Sequence, residues 1–449
     1  MPVRHGSERG PVRATVLVCV AATIAGVVLG VIGAAFRWCL QAAEGVRADL
    51  VEWALRLPGP GWLIPIAAAA VCATIAALLV RWEPQAVGSG IPHVEAVFLG
   101  SARPPRPSVL PARFVGGVLA IGGGLVLGRE GPTVHMGAAV GAETARRTRL
   151  RDRDARTVEV ALAGAGLAVA FNAPIAGVLF TLEEVTKSLR PRIVLATVLA
   201  AAAAIVSSRL LLGNDPDFDV NRVAAPDLTW LPLFVVFGVL TGVLGAGYNV
   251  VVPWLGDHVA ALPKIPTALK ATAIGAVVGA ALCVAPLTVG DGDSLTQMIL
   301  DGHEFVLWVA VGLLAARFIS GPLSYSAAVP GGLFAPLLAV GALWGFVFTG
   351  CFDAVWPEDT SFLVIPMAIV GMTAFFGATV RAPLTGIAIV IEMTATVSVA
   401  IPAVAAMISA ILTARAVGSV PIYDSLRERM PREPDVNPEE AGGGRREEP

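Results

Sequence analysis

Charged side chains are scarce in this sequence. Asp, Glu, Lys and Arg make up 15% of 449 residues, whereas 55% are hydrophobic and the mean hydropathy is +0.74. A soluble domain cannot cover that much apolar surface, so the bilayer is the solvent this composition calls for. The formal net charge of −2 shows no basic excess and argues against nucleic acid as a partner. Cysteine is nearly absent: Cys19, Cys39, Cys72, Cys283 and Cys351 are odd in number, scattered and set in apolar stretches. That pattern indicates neither a disulfide framework nor a zinc site. The five histidines are far apart in sequence and no HExxH string occurs. Ser89 and Tyr423 have no evident base partner, so an intramembrane enzyme built on Glu130 or Glu183/Glu184 is disfavoured and no cofactor is expected.

What the chain does have is apolar runs. Twelve lie near 13–36, 62–81, 109–127, 160–182, 193–212, 230–252, 269–289, 305–316, 331–350, 363–378, 383–393 and 398–417. Several are too short to span alone, since a crossing takes about 20 residues. Short, interrupted helices are what line binding sites in transporters. The first run follows Arg4, Arg9 and Arg13 as a signal peptide would, but it is longer than a signal h-region and eleven runs follow. It reads as a retained membrane helix.

Basic clusters at 4–13, 103–113, 146–156 and 187–192 orient the chain by the positive-inside rule, with both termini in the cytoplasm and the protein multi-pass in the cytoplasmic membrane. Positions 160–182 then form a hairpin of two short helices. The connections at 213–227 and 290–304, with Asp215, Asp217, Asp219, Asp291, Asp293 and Asp301, suit the outside.

Two halves are related. Residues 173–183 read APIAGVLFTLE and residues 382–392 read APLTGIAIVIE, an offset of 209. Pro132-x4-Gly137 and Pro336-x4-Gly341 echo more weakly at 204. Such internal symmetry marks a repeat-built transporter with its site at the repeat interface. The expected organisation is a cytoplasmic segment 1–14, repeats 15–215 and 216–426, and a polar, disordered tail 427–449 too short to be a regulatory domain.

Three segments share one design: Gly88-Ser-Gly-Ile-Pro92, Gly128-Arg-Glu-Gly-Pro132 and Gly331-Gly-Leu-Phe-Ala-Pro336. Glycines permit tight backbone, and a proline near a helix start lacks the N–H that would be unpaired there. Each predicts a helix N-terminus deep in the membrane whose free N–H groups can hold an anion without a full positive charge. Glu130 is the unusual residue, because an ionised carboxylate at that depth costs about 2.5–3.5 kcal/mol. A carboxylate is also the kind of anion such an end prefers, so it would compete with a free anion until protonated. By itself the string also fits a carboxylate that merely caps a helix.

Taken in order, GSGIP, GREGPTVHMG, FNAPIAGVLFTLEE, PGGLFAPLLAVG, VRAPLTGIAIVIEMT and the late Tyr423 resemble the CLC family of chloride channels and chloride/proton antiporters, particularly its bacterial members. The resemblance covers residues 15–430 or so. It implies an all-α polytopic membrane protein with the CLC-type fold, two inverted-topology repeats and about 18 helices, several short, tilted or broken. It also implies a homodimer with one pathway per subunit. By resemblance, Ser89, Leu333, Phe334 and Tyr423 bind chloride, supported by the backbone at Gly88, Gly90, Gly131 and Gly332. Glu130 resembles the external gating glutamate and Glu184 the internal proton-transfer glutamate. An acid at 184 is typical of exchangers, so the expected activity is exchange of chloride for protons, with a voltage- or pH-gated chloride channel on the same fold as the alternative. The resemblance further implies chloride over nitrate, since Ser89 stands where nitrate-preferring members carry proline, and argues against fluoride. Independently, Glu184 falls at the cytoplasmic end of the 160–182 hairpin, where it could equally be a solvated acid balancing Lys187 and Arg190.

Of the other polar residues, Glu95 and Arg113 are expected to pair across the cytoplasmic end. Glu392 is expected to cap or brace its own helix, and Arg129 to satisfy carbonyls near the gate. His93 and His135 stand where relatives often carry Glu or Gln; each could titrate near neutral pH or simply be a polar helix residue.

Overall fold

The computed structural model describes residues 9–220, 223–262 and 264–430, and within them the chain forms seventeen α-helices and no sheet. The first half runs α1 (Arg9–Leu55), α2 (Leu63–Trp82), α3 (Ile91–Phe98), α4 (Val109–Gly122), α5 (Glu130–Arg147), α6 (Asp152–Ala170), α7 (Pro174–Phe180) and α8 (Pro191–Leu212). A π-helical turn, Thr181–Val185, extends α7. The second half runs α9 (Leu231–Ala260), α10 (Thr267–Val284), α11 (Asp293–Leu300), α12 (Leu307–Tyr325), α13 (Phe334–Asp353), α14 (Val364–Val380), α15 (Pro383–Thr394) and α16 (Ala400–Ala416), and α17 (Ile422–Glu428) follows. Eight of the seventeen are long and apolar enough to cross a membrane.

The halves repeat helix for helix, short elements included. Packing partners repeat too: α1 lies on α8 as α9 lies on α16, and α5 on α6 as α13 on α14. The pairs α2·α10 and α7·α15 join each helix to its own counterpart, as elements beside a two-fold axis must. Small residues set the closest of these contacts. Gly26 and Gly30 lie against the backbone of Ala200 and Ala204, and Gly238 and Gly242 against Ala406 and Ala410. Without a hydrophobic force between helices in lipid, such close backbone approach supplies the dispersion energy of association.

The repeats are also cross-linked by a reciprocal cap. Glu183 accepts hydrogen bonds from the N–H groups of Leu384 (3.1 Å) and Thr385 (2.8 Å) at the start of α15. Glu392 does the same for Ile175 (3.1 Å) and Ala176 (2.8 Å) at the start of α7. Glu392 therefore caps the other repeat's helix, not its own. The expected pattern fails here because the α7·α15 contact places each carboxylate over its counterpart's free N–H groups.

The predicted hairpin at 160–182 is present, but its first arm starts earlier, at Asp152, because the polar turn of DRDAR continues the helix. α1 likewise begins at Arg9, inside the segment assigned to a terminal stretch. Arg427 and Glu428, assigned to a disordered tail, belong to α17, and the rest of that tail from residue 431 lies outside the described residues.

Candidate functional site

The three glycine-rich breaks meet at one place. Gly128 and Gly332 exchange two backbone hydrogen bonds of 2.8 Å each, and the N–H of Gly331 donates to the carbonyl of Gly88 at 3.2 Å. This small backbone knot holds the N-terminal ends of α5 and α13 and the loop before α3 together. Gly90 caps α3 in the left-handed region, at φ +85°, which a side chain would strain.

Glu130, the first residue of α5, is fully buried. Its carboxylate reaches across the repeat interface, and Oε1 accepts a 2.6 Å hydrogen bond from the N–H of Phe334 at the start of α13. The carboxylate fills a cradle floored by glycine: a Cβ added at Gly128 or Gly332 would collide with it. At Gly131 an added Cβ would overlap Ser89, so that glycine lets α5 approach the Ser89 loop. Leu333 precedes α13 as its N-cap and is buried. The Phe334 ring is fixed by four others, those of Phe171 (6.3 Å), Phe180 (5.9 Å), Phe376 (4.8 Å) and Tyr423 (5.4 Å), measured between centroids.

Two buried hydroxyls lie close to one another. Ser89 Oγ and Tyr423 Oη each lack a hydrogen bond, as does Glu130 Oε2. Buried polar atoms are seldom left so, and a small anion would satisfy both donors. Tyr423 is within electrostatic reach of both Glu130 and Glu184.

Glu184 sits in the π-helical turn, buried, with Oε1 unpartnered. Its electrostatic neighbours are Glu95, Lys187, Asp424 and Glu183. It is therefore not a solvated acid, and Lys187 instead pairs with Asp424 at 3.2 Å. Glu95 pairs with Arg427 (2.5 Å), which also binds Asp424 (2.7 Å). The expected Glu95–Arg113 pair does not form. The fully buried Arg113 turns to the loop before α3 and donates to the carbonyls of Gln85, Val87 and Gly88. Its Nε donates to His135 Nδ1 at 3.0 Å, and His135 Nε2 lies 3.0 Å from His93 Nδ1. Because Arg113 can only donate, His135 must carry its proton on Nε2 and pass a hydrogen bond to His93.

Sequence reading missed several residues of this site. Tyr325, one of only three tyrosines, lies with its hydroxyl 3.4 Å from the N–H of Ser89. Its place just before the PGGLFAP string was the available signal. Arg317, the counterpart of Arg113 in the second half, was also missed. Arg317 donates to the carbonyls of Leu287, Val289 and Gly290 ahead of α11, as Arg113 does ahead of α3.

A two-fold repeated helical bundle with broken helices meeting around a buried carboxylate and unpartnered donors defines a membrane ion transporter. The sequence profile described as voltage gated chloride channel matches residues 71–415, and the chain belongs to that family. It is 36% identical over 414 residues to the H(+)/Cl(−) exchange transporter ClcA of Vibrio cholerae, covering 90% of this chain and 88% of that one. The ClcA of Citrobacter koseri is 33% identical over 428 residues, covering 91% and 87%. Among solved structures, a slow cyanobacterial Cl−/H+ antiporter superposes with a TM-score of 0.86 at 30% identity, covering 92% of this chain and 97% of that one. A CLC-type fluoride/proton antiporter, at 19% identity and TM-score 0.76, shares the fold, covering 91% and 97%.

Proposed function

We propose that this protein is a secondary active antiporter that exchanges chloride for protons, with the Glu130 carboxylate and chloride as alternating occupants of one site. The observation that carries this reading is the 2.6 Å bond from the Phe334 N–H, at the N-terminus of α13, to Glu130 Oε1. That end carries partial positive charge and free donors, worth about 0.3–1 kcal/mol to an anion and ~2 when partly buried. A deprotonated Glu130 occupies it. Once protonated, the side chain loses that attraction and leaves, and chloride takes the amides of Leu333 and Phe334 with the hydroxyls of Ser89 and Tyr423. Among the described residues no cationic side chain bonds the Glu130 carboxylate, so chloride is held by amides and hydroxyls without being trapped.

The buried Glu184 supplies the other end of the proton route. Its neighbours Glu95, Asp424 and Lys187, the first two bound by Arg427, join the face that carries the basic clusters. The same face brings Arg146 to Pro105 and Arg192 to Asp154. By the positive-inside rule this face is cytoplasmic and the Asp217–Asp293 face external. The two repeats, bounded near residue 215, then run in opposite senses through the cytoplasmic membrane with both termini inside. A homodimer with one pathway per subunit, and a cycle needing only chloride and protons with no cofactor, complete the reading.

The test is reconstitution in liposomes with both ions followed together. A chloride gradient should drive protons uphill. Chloride conductance with no pH change would favour the passive channel instead.

A further inference from the structure

We propose that Asp217, on the segment joining the two repeats, is a positioning residue for the Glu130 gate, acting through Arg129. This rests on the reading of Glu130 as the gate and extends it to the external mouth.

The joining segment is strapped across that mouth. The carbonyl of Asp215 accepts from Asn172 Nδ2 at 2.8 Å, and the N–H of buried Phe218 donates to the carbonyl of Met393 at 2.9 Å. Asp219 and Gln297 bond in both directions, at 3.1 and 2.7 Å. Between these anchors the Asp217 side chain is 3% exposed and bridges two arginines: Oδ1 meets Arg37 at 2.5 Å and Oδ2 meets Arg129 at 2.9 Å. Arg129 also donates to Asp293 at 3.1 Å and to the carbonyl of Ala170 at 2.8 Å. Each nitrogen of its guanidinium is thereby bonded to a group other than the carboxylate of the next residue.

These groups line a cavity of about 370 Å³. The charges around Arg129 come from α1 (Arg37, Glu44, Arg47), α8 (Arg209), the joining segment (Asp215, Asp217), the turn before α11 (Asp291) and the first residue of α11 (Asp293). Two of those carboxylates, Asp217 and Asp293, bind Arg129 directly; Arg47 turns to Glu44 and Arg209 to Asn172. Arg129 in turn acts electrostatically on Glu130, whose neighbour on the inner side is Tyr423.

The sign follows. Neutralising Asp217 leaves the positive charge of Arg129 less compensated, which favours ionised Glu130, so more external acid is needed to release the gate. The missing negative charge acts in the same direction. Neutralising Arg129 acts oppositely.

The experiment is chloride flux by the full-length protein in liposomes as external pH is stepped, for wild type, Asp217→Asn, Asp217→Glu, Asp293→Asn and Arg129→Gln. Asp217→Asn should move the half-maximal pH at least about 0.5 unit to the acid side, the scale expected for one partly screened charge. Asp217→Glu should restore it, Asp293→Asn should move it the same way, and Arg129→Gln should move it the other way. A residue with only a structural role would lower the rate at every pH without moving the midpoint. If Asp217→Asn does not fold, Asp293→Asn carries the test. Superimposable profiles for the aspartate variants, or Arg129→Gln moving with them, overturn the inference. If wild type itself exchanges no protons, the functional reading fails rather than this extension of it.

Discussion

Replacing Glu130 with alanine removes one of the two occupants proposed for the anion site, and the structure bounds the consequence. The charge-assisted bond from the Phe334 N–H at 2.6 Å is worth about 1.5–3 kcal/mol. The α13 end adds about 1–2 kcal/mol. Against these stands about 2.5–3.5 kcal/mol for holding the carboxylate ionised at that depth. The carboxylate's net hold on the site therefore lies between about −1 and 2.5 kcal/mol, and where it is the occupant chloride binding in the variant should be between unchanged and ~70-fold tighter. Calorimetric titration of the purified variant measures that term. Paired chloride and proton fluxes in liposomes measure the other: chloride should still cross, and no proton movement should accompany it at any external pH. Proton pumping that persists in Glu130→Ala, or chloride binding that weakens, would refute the reasoning, because neither is compatible with a shared site.

Glu184→Gln should abolish proton transport while chloride movement continues; both ions continuing at a fixed ratio would make Glu184 a bystander. Ser89→Pro removes a buried unpartnered hydroxyl, and the nitrate-to-chloride flux ratio should rise; an unchanged ratio would remove Ser89 from the site. Glu392→Ala uncaps two N–H groups of α7 and should cost about 1–2 kcal/mol, read as a lower thermal midpoint with ion selectivity unchanged. Gly332→Ala should push the Glu130 carboxylate out of its cradle, so its proton coupling should fall toward that of Glu130→Ala.

Much of this site was legible because it depends on local backbone rules. Gly88, Gly128 and Gly331 sit beside prolines or helix starts, and such strings break a helix wherever they fall. What local patterns do not carry is partnership. Glu95 looked like a partner for nearby Arg113, yet its cation is Arg427, which became available because Ile422–Glu428 folds as a helix against α3. Arg113 went instead to the carbonyls of Gln85, Val87 and Gly88, in the stretch of chain that turns at Gly88 and Gly90. His93 and His135, separated by 42 residues, became one hydrogen-bonded pair through that same arginine.

From the amino-acid order alone came the solvent, the breaks and the two-fold internal repeat, because hydropathy and glycine–proline placement act over a turn or two of helix. Packing decided which donors meet which acceptors. The Glu130 carboxylate finds an amide 204 residues away, and Glu183 and Glu392 exchange helix ends between repeats. Those pairings arise only when two similar halves are folded against each other in opposite senses, a relation no stretch of either half contains.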